Sequence, residues 1–146
     1  MRETDLEQVA ELERLCFSES WSRRILEAGL HSAYDIFYVW EQEGEIFAYC
    51  NLRLLAGEGE IERIAVRPDR RRLGLGRKLM EAMEKAASDY RASAISLEVR
   101  ESNLAARRLY ESCGFAAEGV RKGYYHNPFE DAVIMWKRQD QTGITT

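Results

Sequence analysis

A basic segment that contains two glycines and joins an apolar strand to a helix restricts the fold of this chain more than any other feature. Glu60–Val66 has the pattern of a strand, and Gly74–Tyr90 has the spacing of an amphipathic helix. Gly74 and Gly76 lie where that helix begins, so backbone N–H groups can approach an anion without interference from a Cβ atom. The positive end of the helix dipole adds to the attraction. The segment therefore predicts a pyrophosphate site.

The charge around this segment supports the same interpretation. Seven basic residues and one acidic residue lie from Arg63 to Lys78, in a chain whose formal net charge is −4. A general nucleic-acid binder is usually basic over a whole face, so a compact phosphorylated ligand fits this distribution better. The loop lacks the Gly-Lys-Ser/Thr of a Walker motif, and Lys78 and Leu79 occupy the region of the third glycine of a dinucleotide fingerprint. A solvated charge run is the alternative.

The remaining pattern predicts one α/β domain with a mixed, mostly antiparallel sheet. Strands joined by short turns pair antiparallel, whereas the strand–helix–strand step from Ile61 to Val99 predicts a parallel crossover. Helices are expected on both faces of the sheet. The first predicted helix begins at Thr4 or Asp5 and has apolar positions at Leu6, Val9, Ala10, Leu12 and Leu15, and the second runs from Ser22 to Ala28 and ends at Gly29. Two further predicted helices span Gly74–Tyr90 and Asn103–Cys113. The predicted strands are Ile36–Glu41, Ile46–Leu55, Glu60–Val66, Ile95–Val99, Phe115–Tyr124 and Asp131–Lys137.

Length and composition set the class of protein. The 146 residues fit one compact domain, which we place at residues 1–138, followed by a polar, frayed tail at residues 139–146. With 45% hydrophobic and 32% charged residues, the chain can bury a core, which excludes disorder. The N-terminus lacks the apolar stretch of a signal peptide, and the longest apolar run is too short for a bilayer. We therefore expect a cytoplasmic protein with no membrane contact.

Cysteine and histidine usage argues against two further classes of site. The three cysteines, Cys16, Cys50 and Cys113, are widely spaced and form no Cys-x-x-Cys pair. His31 and His126 are isolated from any second ligand at metal spacing. We expect neither a disulfide framework nor a metal site.

The loop and the order of elements resemble the GNAT superfamily of N-acetyltransferases. The resemblance rests on Arg71-x-x-Gly74-x-Gly76 directly after an Ile-Ala-Val strand end, and it covers nearly the whole chain. It implies the GNAT fold, with acetyl-CoA as co-substrate. That family usually begins with a strand before the first helix, and here only Met1–Glu3 could supply one. The cofactor-binding residues that the resemblance implies are Ile64, Ala65, Val66, Arg71, Arg72, Leu73, Gly74, Leu75, Gly76 and Arg77, together with Asn103.

Several blocks downstream look like the bacterial ribosomal-protein-alanine N-acetyltransferases, a branch of this superfamily. That resemblance implies an enzyme that acetylates the N-terminal alanine of ribosomal protein S18, whose N-terminal peptide is the partner, with no direct contact to nucleic acid. Transfer is then direct, in a ternary complex. The blocks are Leu97-Glu98-Val99-Arg100-x-Ser102-Asn103, Leu109-Tyr110-Glu111-Ser112-x-Gly114-Phe115, Arg121-x-x-Tyr124-Tyr125, and Glu130-Asp131-Ala132 with Met135.

Glu98 is the candidate proton acceptor. Acetyl transfer requires that the ammonium group lose a proton, that the oxyanion find a donor and that the thiolate gain a proton. Glu98 alternates with Leu97 and Val99, so it points away from their apolar face near the end of the strand. From spacing alone, pairing with Arg100 or another arginine is the simpler interpretation. The resemblance implies instead a base that acts through water.

Tyr110 is the candidate proton donor. From spacing alone it is a partly buried core aromatic, whereas the resemblance implies a hydroxyl beside the thioester sulfur. A phenol with a pKa of about 10 stays protonated at neutral pH.

Asn103 fits both a helix N-cap and a cofactor contact. Glu62 competes with Glu98 because many relatives keep their base on that strand, and backbone amides near Ala65 and Val66, aided by a bulge, are the expected oxyanion donors.

The acceptor side is less determined by the sequence. Tyr124, Tyr125, Glu130 and Asp131 line the peptide site in one interpretation and form a strand end and a turn in the other. Phe17 and Trp21 belong to the same groove or to the core, and Cys113 receives no nucleophilic role. An α-amine needs about 3.4 kcal/mol less than lysine to lose its proton, because its pKa is lower. The alternatives to S18 are another N-terminus, a lysine, a small amine and a non-catalytic acyl-CoA-binding module. A nucleic-acid binder that uses the arginine loop is a further alternative.

Overall fold

A computed structural model describes residues 1–139, which fold into a mixed sheet of six strands flanked by helices. The helices are α1 (Leu6–Cys16), α2 (Arg23–Leu30), α3 (Leu75–Tyr90) and α4 (Leu104–Ser112); the strands are β1 (Asp35–Gln42), β2 (Glu45–Leu55), β3 (Glu58–Val66), β4 (Ala94–Arg100), β5 (Ala116–Tyr125) and β6 (Glu130–Arg138). Short 3-10 turns precede α1 and follow β3. The predicted order of elements is confirmed, with boundaries that move by at most two residues.

The strands lie in the order β1-β2-β3-β4-β6-β5, and one pair determines where the sheet can open. β3 and β4 are parallel, as the crossover through α3 predicts, whereas the other neighbouring pairs are antiparallel. The parallel ladder joins only Gly59–Ile61 to Ile95–Leu97. Beyond Leu97 the two strands diverge, which leaves the facing edges of their C-terminal halves unpaired with each other.

Apolar clusters on the two faces of the sheet hold the helices in place. On one face, Leu6, Val9 and Leu12 of α1 and Leu26 of α2 pack around Tyr49. On the other face, α3 and α4 pack on the sheet through a larger cluster, with members Leu79, Met80, Met83, Tyr110 and Phe115. Helices on both faces were expected, and each face has its own dry core.

Three details at the N-terminal side differ from the prediction. Leu15 is exposed and does not belong to the apolar stripe of α1, which continues past Leu12 to the half-buried Cys16. α2 continues through Gly29 to Leu30, and a Cβ at Gly29 would lie 2.8 Å from the ring of Phe37. That glycine therefore serves close packing and does not end the helix. Within residues 1–139 no strand precedes α1; instead the terminal amino group donates a hydrogen bond of 3.3 Å to the carbonyl of Phe37.

Gln139, the first residue of the predicted frayed tail, is held by a backbone hydrogen bond. The backbone N–H of Gln139 donates to the carbonyl of Ser93 at 2.9 Å, so the chain is still attached to the domain at that residue. The rest of the expected tail, residues 140–146, lies outside the described residues. Among the helices of the described part, none combines the length and apolar character needed to cross a membrane.

Candidate active site

A cavity of about 610 Å³ fills the opening between β3 and β4. Glu62 and Ile64 line it from β3, and Glu98 and Arg100 line it from β4. Residues from both faces of the sheet complete the wall, because the diverging strands leave a passage between the two faces. These further lining residues are Cys16 at the end of α1; Phe17, Ser18, Glu19 and Trp21 after it; Asn103, Ala106 and Tyr110 at the start of α4 and along it; Tyr124 and Tyr125 at the end of β5; and Ile61, Arg63, Leu97 and Val99 on the two strands.

Glu98 presents one engaged oxygen and one free oxygen to this cavity. Its side chain points away from the buried Leu97 and Val99, as the alternation predicted. Nε of Arg121 lies 3.2 Å from Oε1. Oε2 is buried and has no hydrogen-bond partner among the residues that the structure describes. The carboxylate is thus paired with an arginine, and it still has an acceptor atom for water or an amine.

Tyr110 reaches the cavity from the opposite face of the sheet. It is buried on α4, where its ring lies 6.3 Å from that of Phe115. Burial, with smaller contributions from Tyr125 and Cys113, raises the pKa of Tyr110 above its usual value. A phenol in this setting keeps its proton, so Tyr110 is a core aromatic that also lines the cavity, and its role as proton donor stays a prediction.

Glu62 is a second acidic group in the cavity, and a β-bulge places it there. Ile61 pairs with Leu52 and Arg63 pairs with Asn51, so Glu62 is the extra residue of β3. Burial, then the carboxylates of Glu60 and Asp35, raise the pKa of Glu62. A raised pKa suits a base that works near neutral pH. The bulge was expected nearer to Ala65 and Val66.

Alternation along β3 separates the predicted oxyanion donors. The N–H of Arg67 donates to Phe47 of β2 at 2.8 Å, so by the two-residue period the N–H of Ala65 also faces β2. Val66 and Ile64 face the open edge, and the Val66 carbonyl accepts from Nε of Arg71 at 3.0 Å. Ile64 and Val66 are therefore the residues whose backbone groups face the gap.

The glycines of the basic loop have different structural roles. Gly74 precedes α3 with φ of +82°, a left-handed conformation that favours glycine, and a Cβ there would meet nothing within 4 Å. A Cβ at Gly76 would lie 3.1 Å from Leu109, so this glycine permits α3 to approach α4. The open space at Gly74 fits a loop whose amides receive a pyrophosphate.

Most arginines of the basic stretch are engaged within the protein. The guanidinium groups of Arg67 and Arg70 each lie 4.5 Å from the ring of Phe47, and Arg67 pairs with Asp69 at 2.7 Å. Arg77 reaches α4 and donates to Ser112 at 2.7 Å. These contacts disfavour a free basic face for nucleic acid.

Of the predicted cofactor-binding residues, Ile64 and Asn103 line the cavity. Oδ1 of Asn103 accepts from the N–H of Ala106 at 3.2 Å, which confirms its N-cap role. The basic loop lies beyond the end of β3 and does not line the cavity. Its Arg71 folds back and hydrogen-bonds to the carbonyl of Val66. The side chains of Arg72 and Leu73 are exposed, whereas Leu75 is buried.

The aromatic and acidic residues at the β5–β6 end separate into two groups. Tyr124 and Tyr125 line the cavity, with ring centroids 5.0 Å apart. Glu130 instead accepts from the N–H of Ser102 at 2.6 Å and pairs with Arg100 at 3.3 Å. Asp131 accepts from the N–H of Gly123 at 2.8 Å. The structure therefore favours a structural role for these two carboxylates, whose pKa values their donors lower.

A buried ionic cluster behind the cavity was missed by the sequence analysis. Glu13 of α1 is fully buried, accepts from the hydroxyl of Tyr49 and lies 3.4 Å from Nε of Arg63. Burial raises the pKa of Glu13 despite these partners. The available signal was its position, because Glu13 follows Val9 by four residues and therefore lies on the apolar stripe of α1. In the described part of the chain, no group of three or more His, Cys, Asp or Glu residues is arranged to hold a metal ion.

Comparison with known proteins agrees with the geometry. A model of the acetyltransferase (GNAT) family matches residues 6–115. The ribosomal protein bS18-alanine N-acetyltransferase of Escherichia coli K12 is 34% identical over 134 residues, which cover 90% of this chain and 90% of that protein. The N-alpha-acetyltransferase of Sulfurisphaera tokodaii is 33% identical over 147 residues, which cover 92% of this chain and 87% of that protein.

Solved structures share the architecture. The ribosomal-protein-S18-alanine N-acetyltransferase from Escherichia coli superposes with a TM-score of 0.87 and 30% identity, covering 97% of this chain and 94% of that chain. An acetyltransferase from Bacillus anthracis, solved in complex with acetyl coenzyme A, has a TM-score of 0.69 and 26% identity, covering 78% of this chain and 68% of that chain. These matches confirm the predicted fold class and the predicted co-substrate.

Proposed function

This chain belongs to the GNAT acetyltransferase family, and on that premise we propose that it acetylates the N-terminal alanine of ribosomal protein S18 in the cytoplasm. The observation that carries the proposal is the opening between β3 and β4, where Glu98 and Tyr110 line one cavity from opposite faces of the sheet. Both substrates can meet there, so the transfer is direct and takes place in a ternary complex.

The residues of the cavity have separate roles in the transfer. Acetyl-CoA supplies the acetyl thioester. Glu98 takes the proton of the attacking amine through a water molecule that Oε2 can bind, and Arg121 balances its negative charge. The N–H of Val66, at the open edge of β3, donates to the oxygen that gains negative charge. Tyr110 gives its proton to the departing sulfur.

The loop and the adjacent helix ends bind the cofactor in this proposal. Backbone amides from Leu73 to Gly76 bind the pyrophosphate, aided by the dipole of α3. The side chain of Arg72, which is exposed, adds a positive charge there. The open edge of β3 pairs with the extended arm of the cofactor, and Asn103 contacts the same ligand from α4.

An N-terminal amine fits the acidic cavity better than lysine. An α-amino group has a pKa of about 7.7–8.0, against about 10.4 for lysine, so a carboxylate of modest basicity suffices for it. Glu19, Glu62 and Glu98 line the cavity together with two arginines, and the three carboxylates favour an acceptor that carries an ammonium group. Two of the relatives named above, from Escherichia coli and Sulfurisphaera tokodaii, are a ribosomal protein bS18-alanine N-acetyltransferase and an N-alpha-acetyltransferase, which supports the same acceptor class.

Glu62 as the base is the second candidate mechanism. Its raised pKa and its place on the bulge favour it, and it lies in the same cavity as Glu98. Its nearest cation is Arg53, at 3.8 Å. Matched glutamate-to-glutamine substitutions separate the two carboxylates.

The experiment measures acetyl transfer from acetyl-CoA to a short peptide that begins Ala-Arg. The same peptide with a blocked N-terminus and an internal lysine tests the acceptor class. We expect transfer only to the free α-amine, with kcat about 100-fold lower or more in Glu98→Gln and in Tyr110→Phe. Glu62→Gln should stay within about threefold of the wild type.

Three outcomes would change the proposal. Loss of transfer in Glu62→Gln together with retention in Glu98→Gln would assign the base to Glu62. Tight binding of acetyl-CoA without transfer to any N-terminal peptide would exclude the S18 acceptor and leave a small amine or a binding module. Strong, salt-dependent binding to RNA would support the nucleic-acid alternative.

A further inference from the structure

Arg63 connects the cavity wall to the buried core. Its guanidinium carbon lies 4.3 Å from the centroid of the Phe17 ring and 4.4 Å from that of the Trp21 ring. Its Nη2 donates to the carbonyl of Glu19 at 2.9 Å. One side chain thus contacts the beginning, middle and end of the irregular segment 17–21, which joins α1 to α2 and lines the cavity.

The buried carboxylate of Glu13 holds both Arg63 and segment 17–21 in place. Its Oε1 accepts from the backbone N–H of Trp21 at 2.7 Å, and its Oε2 lies 3.4 Å from Nε of Arg63. The hydroxyl of Tyr49, on the neighbouring strand β2, donates to the same carboxylate. A fully buried carboxylate is costly unless it is paired and hydrogen-bonded, so each partner fixes the position of the others.

The position of the segment assigns it to one half of the reaction. Segment 17–21 follows α1 and therefore lies on the α1–α2 face. Its Ser18 accepts a hydrogen bond from Arg100, which lines the cavity, and its Glu19 accepts one from the backbone N–H of His126, which follows the cavity-lining Tyr125. Most of the residues implied in cofactor binding lie in the loop before α3, on α3 and at the start of α4, on the other face, and the remaining three lie on β3 itself. A displacement of segment 17–21 would alter the acceptor side of the cavity and leave the loop before α3 in place.

We propose that Arg63 is a positioning residue that holds segment 17–21 in the shape that binds the acceptor peptide, with Glu13 as its buried anchor. This inference rests on the proposed function for its kinetic consequence. A planar guanidinium is suited to the role because it lies against aromatic rings and pairs with a carboxylate at once. Arg63 then affects the KM for the peptide, and neither acetyl-CoA binding nor the chemical step depends on it.

The kinetic test compares Arg63→Met with a matched control on the last strand. Arg138 lies 5.2 Å from the Trp136 ring and pairs with Glu118, so Arg138→Met also removes a guanidinium from an aromatic ring and a carboxylate. In the sheet, Arg138 pairs with the N-terminal end of β4, away from the cavity. We expect Arg63→Met to raise the KM for the peptide about tenfold, with kcat and the KM for acetyl-CoA within about twofold. Arg138→Met should change none of the three.

Amide hydrogen exchange gives a readout that does not depend on the acceptor. Exchange at residues 17–21 should accelerate in Arg63→Met, whereas exchange at residues 71–76 should not change. If Arg63→Met does not fold, Arg63→Lys retains the charge opposite Glu13, and the same two measurements apply to it. A wild-type enzyme without peptide activity would contradict the proposed acceptor, and the exchange experiment would still decide the role of Arg63. Unchanged exchange at residues 17–21, or an equal rise in both KM values, would overturn the inference.

Discussion

Glu98 lies against both Arg121 and Tyr124, and it affects the ionisation of the tyrosine. Nε of Arg121 is 3.2 Å from Oε1 of Glu98. Burial raises the pKa of Tyr124 above its usual value, and the Glu98 carboxylate raises it further. A negative charge beside a phenol opposes formation of phenolate, so this direction follows from simple electrostatics.

The first prediction concerns the ionisation of Tyr124. Glu98→Gln removes the negative charge and should lower the pKa of Tyr124, so its phenol should ionise at a lower pH than in the wild type. Ultraviolet absorbance titration measures phenolate directly. Subtracting the curve of the corresponding Tyr124→Phe protein isolates this tyrosine from the other six. An unchanged difference curve would show that the carboxylate and the phenol do not interact.

The second prediction concerns the pH dependence of the proton donor. The pKa of Tyr110 is raised above its ordinary value, so the phenol keeps its proton over the neutral and mildly alkaline range. Tyr110→Phe should therefore lower kcat by about the same factor at every pH from about 6 to 9. The exposed Tyr90→Phe serves as the control and should keep wild-type kcat. A ratio that falls towards unity at the alkaline end would contradict this assignment.

The third prediction separates the two roles of Asn103. Asn103→Ala removes the N-cap of α4 and should lower the free energy of unfolding by about 1 kcal/mol, whereas Asn103→Asp retains the cap. The added carboxylate should nevertheless raise the KM for acetyl-CoA, because it places a negative charge beside an anionic cofactor. Urea denaturation and steady-state kinetics measure the two effects. Equal KM values in Asn103→Asp and the wild type would limit Asn103 to its capping role.

The fourth prediction concerns the buried Glu13. Its pKa is raised in the folded protein, chiefly by burial, so the folded state binds more protons than the unfolded state between the two pKa values. The contribution of Glu13 to the free energy of unfolding is therefore most favourable below its pKa in the unfolded chain, which is about 4.3. This contribution is lost as the pH rises through the pKa of Glu13 in the folded protein. Glu13→Gln should become more stable relative to the wild type as the pH rises from about 4.5 to 7.

Chemical denaturation at a series of pH values measures this difference. The exposed Glu81→Gln controls for the loss of one negative charge. The effect of the control is subtracted from the stability difference between Glu13→Gln and the wild type. If the remaining difference does not change with pH over this range, the pKa of Glu13 is the same in the folded and the unfolded protein.

The element order and the sheet could be predicted because each rests on local patterns. Periodic apolar residues located α1 and α3, and the length of the crossover from Ile61 to Val99 required a parallel pair. The alternation around Glu98 likewise fixed its direction. The end of α2 was misplaced because Gly29 has two possible roles, and only the position of Phe37 decides between them.

The contacts of charged side chains could not be predicted, because they depend on distant parts of the chain. The sequence counts arginines near the loop, yet Phe47 and Ser112 engage three of them from other elements. Glu130 was open to two interpretations for the same reason, since its partner Ser102 is 28 residues away. For Glu13, the position in the helix indicates that the side chain is buried, but the residues that pair with it cannot be predicted from that position.

The short ladder between β3 and β4 determines how material reaches the reaction centre. A continuous sheet is impermeable, since its hydrogen bonds and side chains leave no passage from one side to the other. Here the passage exists because the pairing stops after Leu97. In the proposed function, the peptide would therefore enter from the α1–α2 side and acetyl-CoA from the α3–α4 side, so that each substrate has an entrance of its own.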